Sequence, residues 1–282
     1  MKLVRFGSPG LEMPGVVGRD GRIRDLSRHL PELSPLALGR HSIDRLRKIA
    51  IDELPIVSAD MRLGPCVADV GKVVCIGLNY SDHAAESGMA VPPEPVVFLK
   101  ASTAVSGPYD DVVLPPGSEK SDWEVELGVV IGTRASYVSE RDAMAYVAGY
   151  CIVNDLSERA FQFDRGGQWV KGKSCNTFGP IGPWLVTADE IPDPQALKLT
   201  LDLNGKRRQD GSTANMVFKV PFLVSYVSQF MTLAPGDIIS TGTPAGVGLG
   251  QKPPVFLREG DVMELEIEGL GRQRQRVVAH KR

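Results

Sequence analysis

The chain has 282 residues, 43% hydrophobic and 23% charged, a globular composition with enough apolar material for one large domain or a large domain plus a small one. Its 32 Lys and Arg nearly balance 34 Asp and Glu, and the formal charge of −2 gives no reason to expect nucleic acid or a membrane surface as partner. No stretch approaches the ~18 apolar residues of a membrane helix, and the opening residues lack the apolar run of a secretory signal, so the cytoplasm is the expected compartment.

Short runs at Lys2–Phe6, Gly15–Val17 and Gly21–Leu26 read as a small β-meander, followed by a helix over Ser42–Ala50 with Ser42 as N-cap. Ile51–Gly71 scatters its apolar residues among Pro55, Pro65 and Gly71 and reads as a linker. We therefore expect a small β-containing N-terminal domain over residues 1–68 and a main domain over 69–282. In the main domain strands are expected at Val73–Ile76, Val96–Lys100, Trp123–Ile131, Tyr150–Asn154 and Trp184–Thr187. Ser139 and Asp142 form a capping pattern ahead of a helix reaching about Val147. Leu197–Leu203 and Lys206–Gln209 flank Asn204-Gly205, a strong hairpin signal. A helix over Val220–Met231 stops before Pro235-Gly236, and Val262–Glu268 and Arg272–Ala279 are the last strands. Arg272, Arg274 and Arg276, with His280, Lys281 and Arg282, read as a solvated strand face and tail. Helices are too few and too irregularly spaced for a βαβ repeat. The expected class is α+β, β-rich, a mixed β-sandwich or roll.

Cys66, Cys75, Cys151 and Cys175 show no C-x-x-C spacing, which argues for buried free thiols rather than a zinc site or a disulfide framework. With only four histidines, any metal must be held mainly by carboxylates, which points to a hard ion of the Mg, Mn or Ca type. The segment Asp122 to Ile131 offers two of them. Glu124 and Glu126 fall on one strand face, roughly 6–7 Å apart along the strand, and the residues after them are apolar on both faces, as in a strand buried on both sides. Carboxylates entering such a strand need a cation or a proton. Val262–Glu268 is the internal control: its alternation runs clean to the end, so Glu264, Glu266 and Glu268 read as a solvated face without chemistry. Asp155 ends an apolar run, where an isolated acid is more often a turn residue than a third ligand.

Gly77 to Glu86 follows an apolar strand. Ser81 or Asp82 can cap a helical turn that sets His83 and Glu86 three residues apart, either as an oriented general base or as a plain surface pair. A serine hydrolase stays open, although no G-x-S-x-G elbow is present. Ser240 to Gly248 is a glycine-rich loop after a strand at Asp237–Ile239. It lacks both the Walker ending and the dinucleotide fingerprint, and reads as a turn or as an anion contact through its amides and Thr243. Phe161 to Asn176 carries Gln162, Lys171 and Lys173 between aromatics, an unusual make-up for a linker.

Together GLNYSDHAAE (77–86), DWEVELGVVIG (122–132), NDLSERAFQ (154–162), KGKSCNTFGPIGPWL (171–185) and ISTGTPAGVG (239–248) resemble the fumarylacetoacetate hydrolase family, in the family's order. Further strings look like its branch of 2,4-diketo-3-deoxy sugar-acid hydrolases, often labelled ureidoglycolate lyase. The resemblance implies a mixed β-roll core and a homodimer, with no nucleic acid or membrane partner. It also implies Mg²⁺ or Mn²⁺ on Glu124, Glu126 and Asp155, and a water-activating dyad of His83 and Glu86. Lys173 would offset oxyanion charge, and Gln162, Thr243, Gly242 and Tyr80 would contact substrate. Asn176 departs from the Asp of many members, a change expected to leave Lys173 less neutralised. The implied activity is Mg-dependent C–C hydrolysis of an acylpyruvate or a 2,4-diketo-3-deoxy sugar acid, giving pyruvate and a carboxylic acid. Alternatives are an oxaloacetate-type decarboxylase, a keto–enol tautomerase, or a metal-stabilised scaffold.

Overall fold

A computed structural model describes residues 1–281 apart from Ser87 and Met89. Its strands are β1 (Lys2–Phe6), β2 (Met13–Val17), β3 (Ile23–Asp25), β4 (Val73–Gly77), β5 (Val96–Lys100), β6 (Val105–Ser106), β7 (Val112–Leu114), β8 (Ser121–Asp122), β9 (Val125–Ile131), β10 (Val147–Asn154), β11 (Ser157–Glu158), β12 (Gly179–Thr187), β13 (Lys198–Leu203), β14 (Lys206–Ser212), β15 (Ile238–Ser240), β16 (Val262–Ile267) and β17 (Gly271–Ala279). The α-helices are α1 (Arg40–Leu46), α2 (Ser81–Glu86), α3 (Arg159–Phe163), α4 (Val170–Lys173) and α5 (Val220–Phe230). The class is the expected one, strand-rich α+β. Among the described residues no helix is long and apolar enough to cross a membrane.

A ten-stranded sheet runs β3-β2-β1-β12-β10-β9-β15-β4-β5, with β6 paired to β12, and a second sheet runs β14-β13-β16-β17-β7. The odd-numbered face of β9, Val125, Leu127, Val129 and Ile131, shares one core with Leu199 and Leu201 of β13, Met263 and Leu265 of β16, and Leu223, Val224 and Val227 of α5. Val130 on the even face packs instead with Leu26, Leu33, Leu38 and Ile43 from the first part of the chain. The central sheet is thus covered on both sides, which is why β9 is apolar on both faces after Glu126.

Residues 1–68 are not set apart from this core. β1 pairs antiparallel with β12 and continues the main sheet, so the division expected near residue 68 is no break in sheet or core. The helix expected from Ser42 begins at Arg40, with Gly39 at its N-cap, while the Ser42 hydroxyl donates to the Leu36 carbonyl. Ser139 does cap its segment, accepting from the Asp142 amide, but Glu140–Tyr146 winds as a 3-10 helix rather than an α-helix. Asn204 and Gly205 take φ of +53° and +73°, the left-handed pair that a two-residue hairpin turn requires. Cys66, Cys75, Cys151 and Cys175 are free, the first three of them buried.

β9 is antiparallel to both β10 and β15, and β15 is parallel to β4. The start of β9 therefore lies beside the ends of β10, β15 and β4. The chain leaves β4 through a turn fastened by Asn79, whose amide donates to the Phe218 and Thr241 carbonyls and accepts from the Phe218 amide. α2 follows.

Candidate metal and catalytic site

Three carboxylates meet at that edge. One oxygen from each of Glu124, Glu126 and Asp155 lies within 4.8 Å of the others, and all three residues are buried. The backbone sets this up: Glu126 faces Val153 across the β9–β10 ladder, and the Asp155 amide donates to the Glu124 carbonyl at 2.9 Å. The Asn154 side chain accepts from the Glu124 amide at 3.2 Å and donates to Gln275 at 3.2 Å. Gln275 donates in turn to Gln273 and to the Pro108 carbonyl, and Gln273 to the Ile152 carbonyl. A buried row of amides from β17 thus backs the start of β9. On its other side the Val125 amide is met by Gln209 at 2.9 Å.

Four acids and three bases share the space. The Lys173 ammonium bridges Glu124 at 2.6 Å and Asp155 at 2.9 Å. Lys100 reaches Asp155 and the Leu156 carbonyl, and Arg159 reaches Glu124 at 2.7 Å and Asp122 at 2.9 Å. Asp122 also accepts from the Gly248 and Leu249 amides, tying the glycine-rich loop to the cluster. Glu126 has no cation of its own among these contacts. It accepts from the Ser240 hydroxyl at 2.6 Å and the Gly242 amide at 2.9 Å.

The electrostatics follow from this. Burial pushes the Glu124 carboxyl up, but Lys173 and Arg159 outweigh it and hold the group down at about 2. For Glu126, burial and then the Asp155 and Glu124 carboxylates push it well above the usual range, against the weaker pull of Lys173 and Ser240. Lys173 is lowered by burial yet raised overall by Asp155 and Glu124. The cluster is one positive charge short of easy ionisation. A hard divalent ion fits that deficit and an all-oxygen donor set.

A cavity of about 420 Å³ opens onto the cluster, lined among others by His83, Glu86, Glu124, Glu126, Gln162 and Lys173. His83 and Glu86 stand on α2 with Nδ1 3.5 Å from Oε2, a charge contact that forms no hydrogen bond, and the buried Nδ1 has no hydrogen-bond partner among the described residues. Glu86 also accepts from the Gly246 amide at 3.0 Å. Gly246 has φ of +107°, and a Cβ there would come 1.9 Å from the Arg208 carbonyl oxygen, so only glycine brings this amide to Glu86. Burial raises the Glu86 carboxyl, but the contacts with His83 and the Gly246 amide leave it below its ordinary value.

Most of the residues picked from sequence meet in this cavity. Gln162 lines it, accepting from Arg159 at 3.1 Å, and Thr243 lines it, bonded to the Val125 carbonyl and to Gln209. Three do not line it. Asp155 is fully buried within the carboxylate cluster. Tyr80 is fully buried in the core and bridges Met216 through its backbone, and Gly242 is spent on Glu126 behind the cavity wall. Asn176 is exposed, while Lys173 takes Glu124 and Asp155 as partners, so the expected loss of neutralisation at Lys173 does not arise there. Sequence reading passed over Lys100, Arg159, Asp122 and Ser240. Arg159 lies within one of the quoted motifs, but a lysine ending the run Val96–Lys100 gives no sign that it turns inward.

The family model for the fumarylacetoacetate (FAA) hydrolase C-terminal domain matches residues 72–278. A Burkholderia multivorans relative, whose name goes no further than hydrolase, is 58% identical over 276 residues, covering 98% of each chain. The structure resembles a fumarylacetoacetate hydrolase from psychrophilic Exiguobacterium antarcticum (TM-score 0.86, 35% identity, 99% of this chain and 100% of that one). It also resembles a maleylpyruvate hydrolase from Sphingobium sp. in complex with manganese(II) and pyruvate (TM-score 0.83, 30% identity, 100% of both). The chain belongs to the fumarylacetoacetate hydrolase family.

Proposed function

We propose that the protein hydrolyses a carbon–carbon bond in a 2,4-diketo acid, releasing pyruvate and a carboxylic acid, with Mg²⁺ or Mn²⁺ on Glu124, Glu126 and Asp155. One observation carries this reading: Glu124 and Glu126 of a buried carboxylate triad line the same cavity as a histidine–carboxylate pair. A divalent ion there supplies Lewis-acid charge for the oxygens of a 2-oxo acid. The manganese and pyruvate bound by the Sphingobium relative support that pairing of ion and ligand.

The side chains divide the remaining work. Glu86, fixed by the Gly246 amide, orients the imidazole through Nδ1 and leaves Nε2 to take a proton from water. The hydroxide adds to C4, the C3–C4 bond breaks, and its electron pair passes to C3 as an enolate that is protonated to pyruvate. The other fragment leaves as the carboxylic acid. Lys173 places a permanent ammonium beside the developing negative charge, and Arg159 holds Glu124 in its ligating position.

The test is incubation with acylpyruvates, with EDTA, Mg²⁺ and Mn²⁺ as separate arms, and product analysis. Metal-dependent release of pyruvate with an equimolar carboxylic acid is expected. Release of CO₂ would reassign the site to decarboxylation, and loss of the diketone signal without cleavage to tautomerisation. Turnover indifferent to EDTA would remove the metal from the reading.

A further inference from the structure

The diketo end of a substrate does not account for the whole cavity. Phe98 of β5 lies with its ring centroid 5.0 Å from the Lys173 ammonium. Trp169 meets Phe98 edge to face at 5.2 Å, and Phe163 meets Trp169 edge to face at 5.9 Å. All three rings line the cavity, and Phe163, the outermost, is 45% exposed. The row therefore starts at the carboxylate cluster and ends in solvent. Its middle ring is seated by Gly77, where a Cβ would come 2.7 Å from the Trp169 ring. Val247, Leu249 and Pro254 of the glycine-rich loop and its continuation add further apolar wall.

Several polar groups of the cavity are engaged with one another. Arg159 and Gln162 bond to each other and Arg159 to two carboxylates, while Thr243 bonds to Gln209 and the Val125 carbonyl. Among the described lining residues, Gln251 and Lys252 add further polar atoms. A polyhydroxylated arm would leave most of its hydroxyls unmet there, which a site discriminates against strongly.

We propose that the row Phe98–Trp169–Phe163 is the subsite for the acyl arm, and that this arm is uncharged and apolar, a flat aryl or an unbranched alkyl chain. The proposal rests on the 2,4-diketo acid reading, since it takes the carboxylate cluster as the seat of the 2-oxo acid end. Each methylene laid along the row tightens binding about fourfold. Sugar-acid arms and carboxylate-ended arms bind less well.

The experiment uses 2-oxo acids without a 4-ketone, which cannot undergo the cleavage, so binding is read apart from hydrolysis. Pyruvate, 2-oxohexanoate, 2-oxo-4-phenylbutanoate, 2-oxoadipate and 2-keto-3-deoxygluconate are titrated calorimetrically into the full chain with Mg²⁺. We expect 2-oxo-4-phenylbutanoate to bind at least tenfold tighter than pyruvate, with 2-oxoadipate and the sugar acid gaining less than threefold. Trp169→Ala should collapse the phenylbutanoate-to-pyruvate affinity ratio. Phe163→Ala, at a half-exposed position that cannot unfold the core, should lower the same ratio by a smaller factor. Equal or tighter binding of the sugar acid or the dicarboxylate overturns the proposal, as does an unchanged ratio in both variants. An arm preference in a protein that releases no pyruvate from any acylpyruvate would sink the hydrolase reading alone, and the reverse result the arm subsite alone.

Discussion

β9 and β16 begin with nearly the same alternation of glutamate and apolar residues and come to opposite ends. β16 lies in the outer sheet, where Met263, Leu265 and Ile267 face the core while Glu264 and Glu266 face solvent and the guanidinium groups of β17 at 3.8–3.9 Å. β9 lies between two covered faces, so Glu126 and, just ahead of the strand, Glu124 meet the outside only through the cavity, and every residue of the strand is buried. A carboxylate on β16 is satisfied by water at almost no cost. On β9 it must be satisfied by lysine, arginine, a proton or a metal. Identical side chains become surface or site according to what covers the sheet.

The most direct way to break that comparison is to neutralise one glutamate on each strand. Glu126→Gln should weaken Mg²⁺ binding, read by calorimetry, by more than the roughly 10- to 100-fold cost of losing a residue that merely supports a ligand, and turnover should fall with it. Glu266→Gln should leave metal affinity unchanged and shift unfolding free energy by no more than about 0.5 kcal/mol. A similar loss from both would mean that burial of β9 has nothing to do with its chemistry. Next in size, His83→Ala should lower kcat by roughly 10²- to 10⁴-fold while metal binding stays within twofold of the original. Turnover retained in that variant would remove His83 from the mechanism.

A smaller effect sharpens the contrast from behind the strand. Asn154→Leu leaves the Glu124 amide without its acceptor and Gln275 without its donor, at a cost of about 1–3 kcal/mol for a buried unmet group. A denaturant titration measures it, and metal affinity should drop in the same variant. The smallest effect concerns pH. The Glu86 carboxyl is held below its ordinary value, so its folded-state advantage is complete above the unfolded value near 4.3 and fades only as pH falls through the lower folded one. Between pH 7 and 5, Glu86→Gln should therefore destabilise the fold by a constant amount, with the gap closing only in more acid solution. A gap that changes across that range would mean that the folded Glu86 carboxyl is not held below its ordinary value.

Much of this was legible because strand alternation is a local signal. Glu124 and Glu126 stood out where the polar face of β9 stops, and Asp155 where an apolar run ends. What escaped depends on distant packing. β1 joins the main sheet through β12, which no pattern near residue 68 reveals, so the N-terminal segment reads as a domain although it supplies the cover for the even face of β9. The family resemblance implies a substrate contact for Tyr80. Its side chain is fully buried and packs in the main core. Lys100 only closes the strand expected at Val96–Lys100, and the fold alone shows it reaching Asp155.

The amide row behind Glu124 also bears on how the protein is made. Asn154 and its partner Gln275 lie 121 positions apart in the chain. While a ribosome is still working through that interval, the nascent polypeptide already carries the acidic start of β9 but not the glutamines that steady it. Such long-range pairing delays the productive collapse of a growing chain. Until β17 emerges, the half-made protein holds clustered carboxylates with no scaffold behind them, and this is the stage at which chaperone capture or proteolysis has its opening.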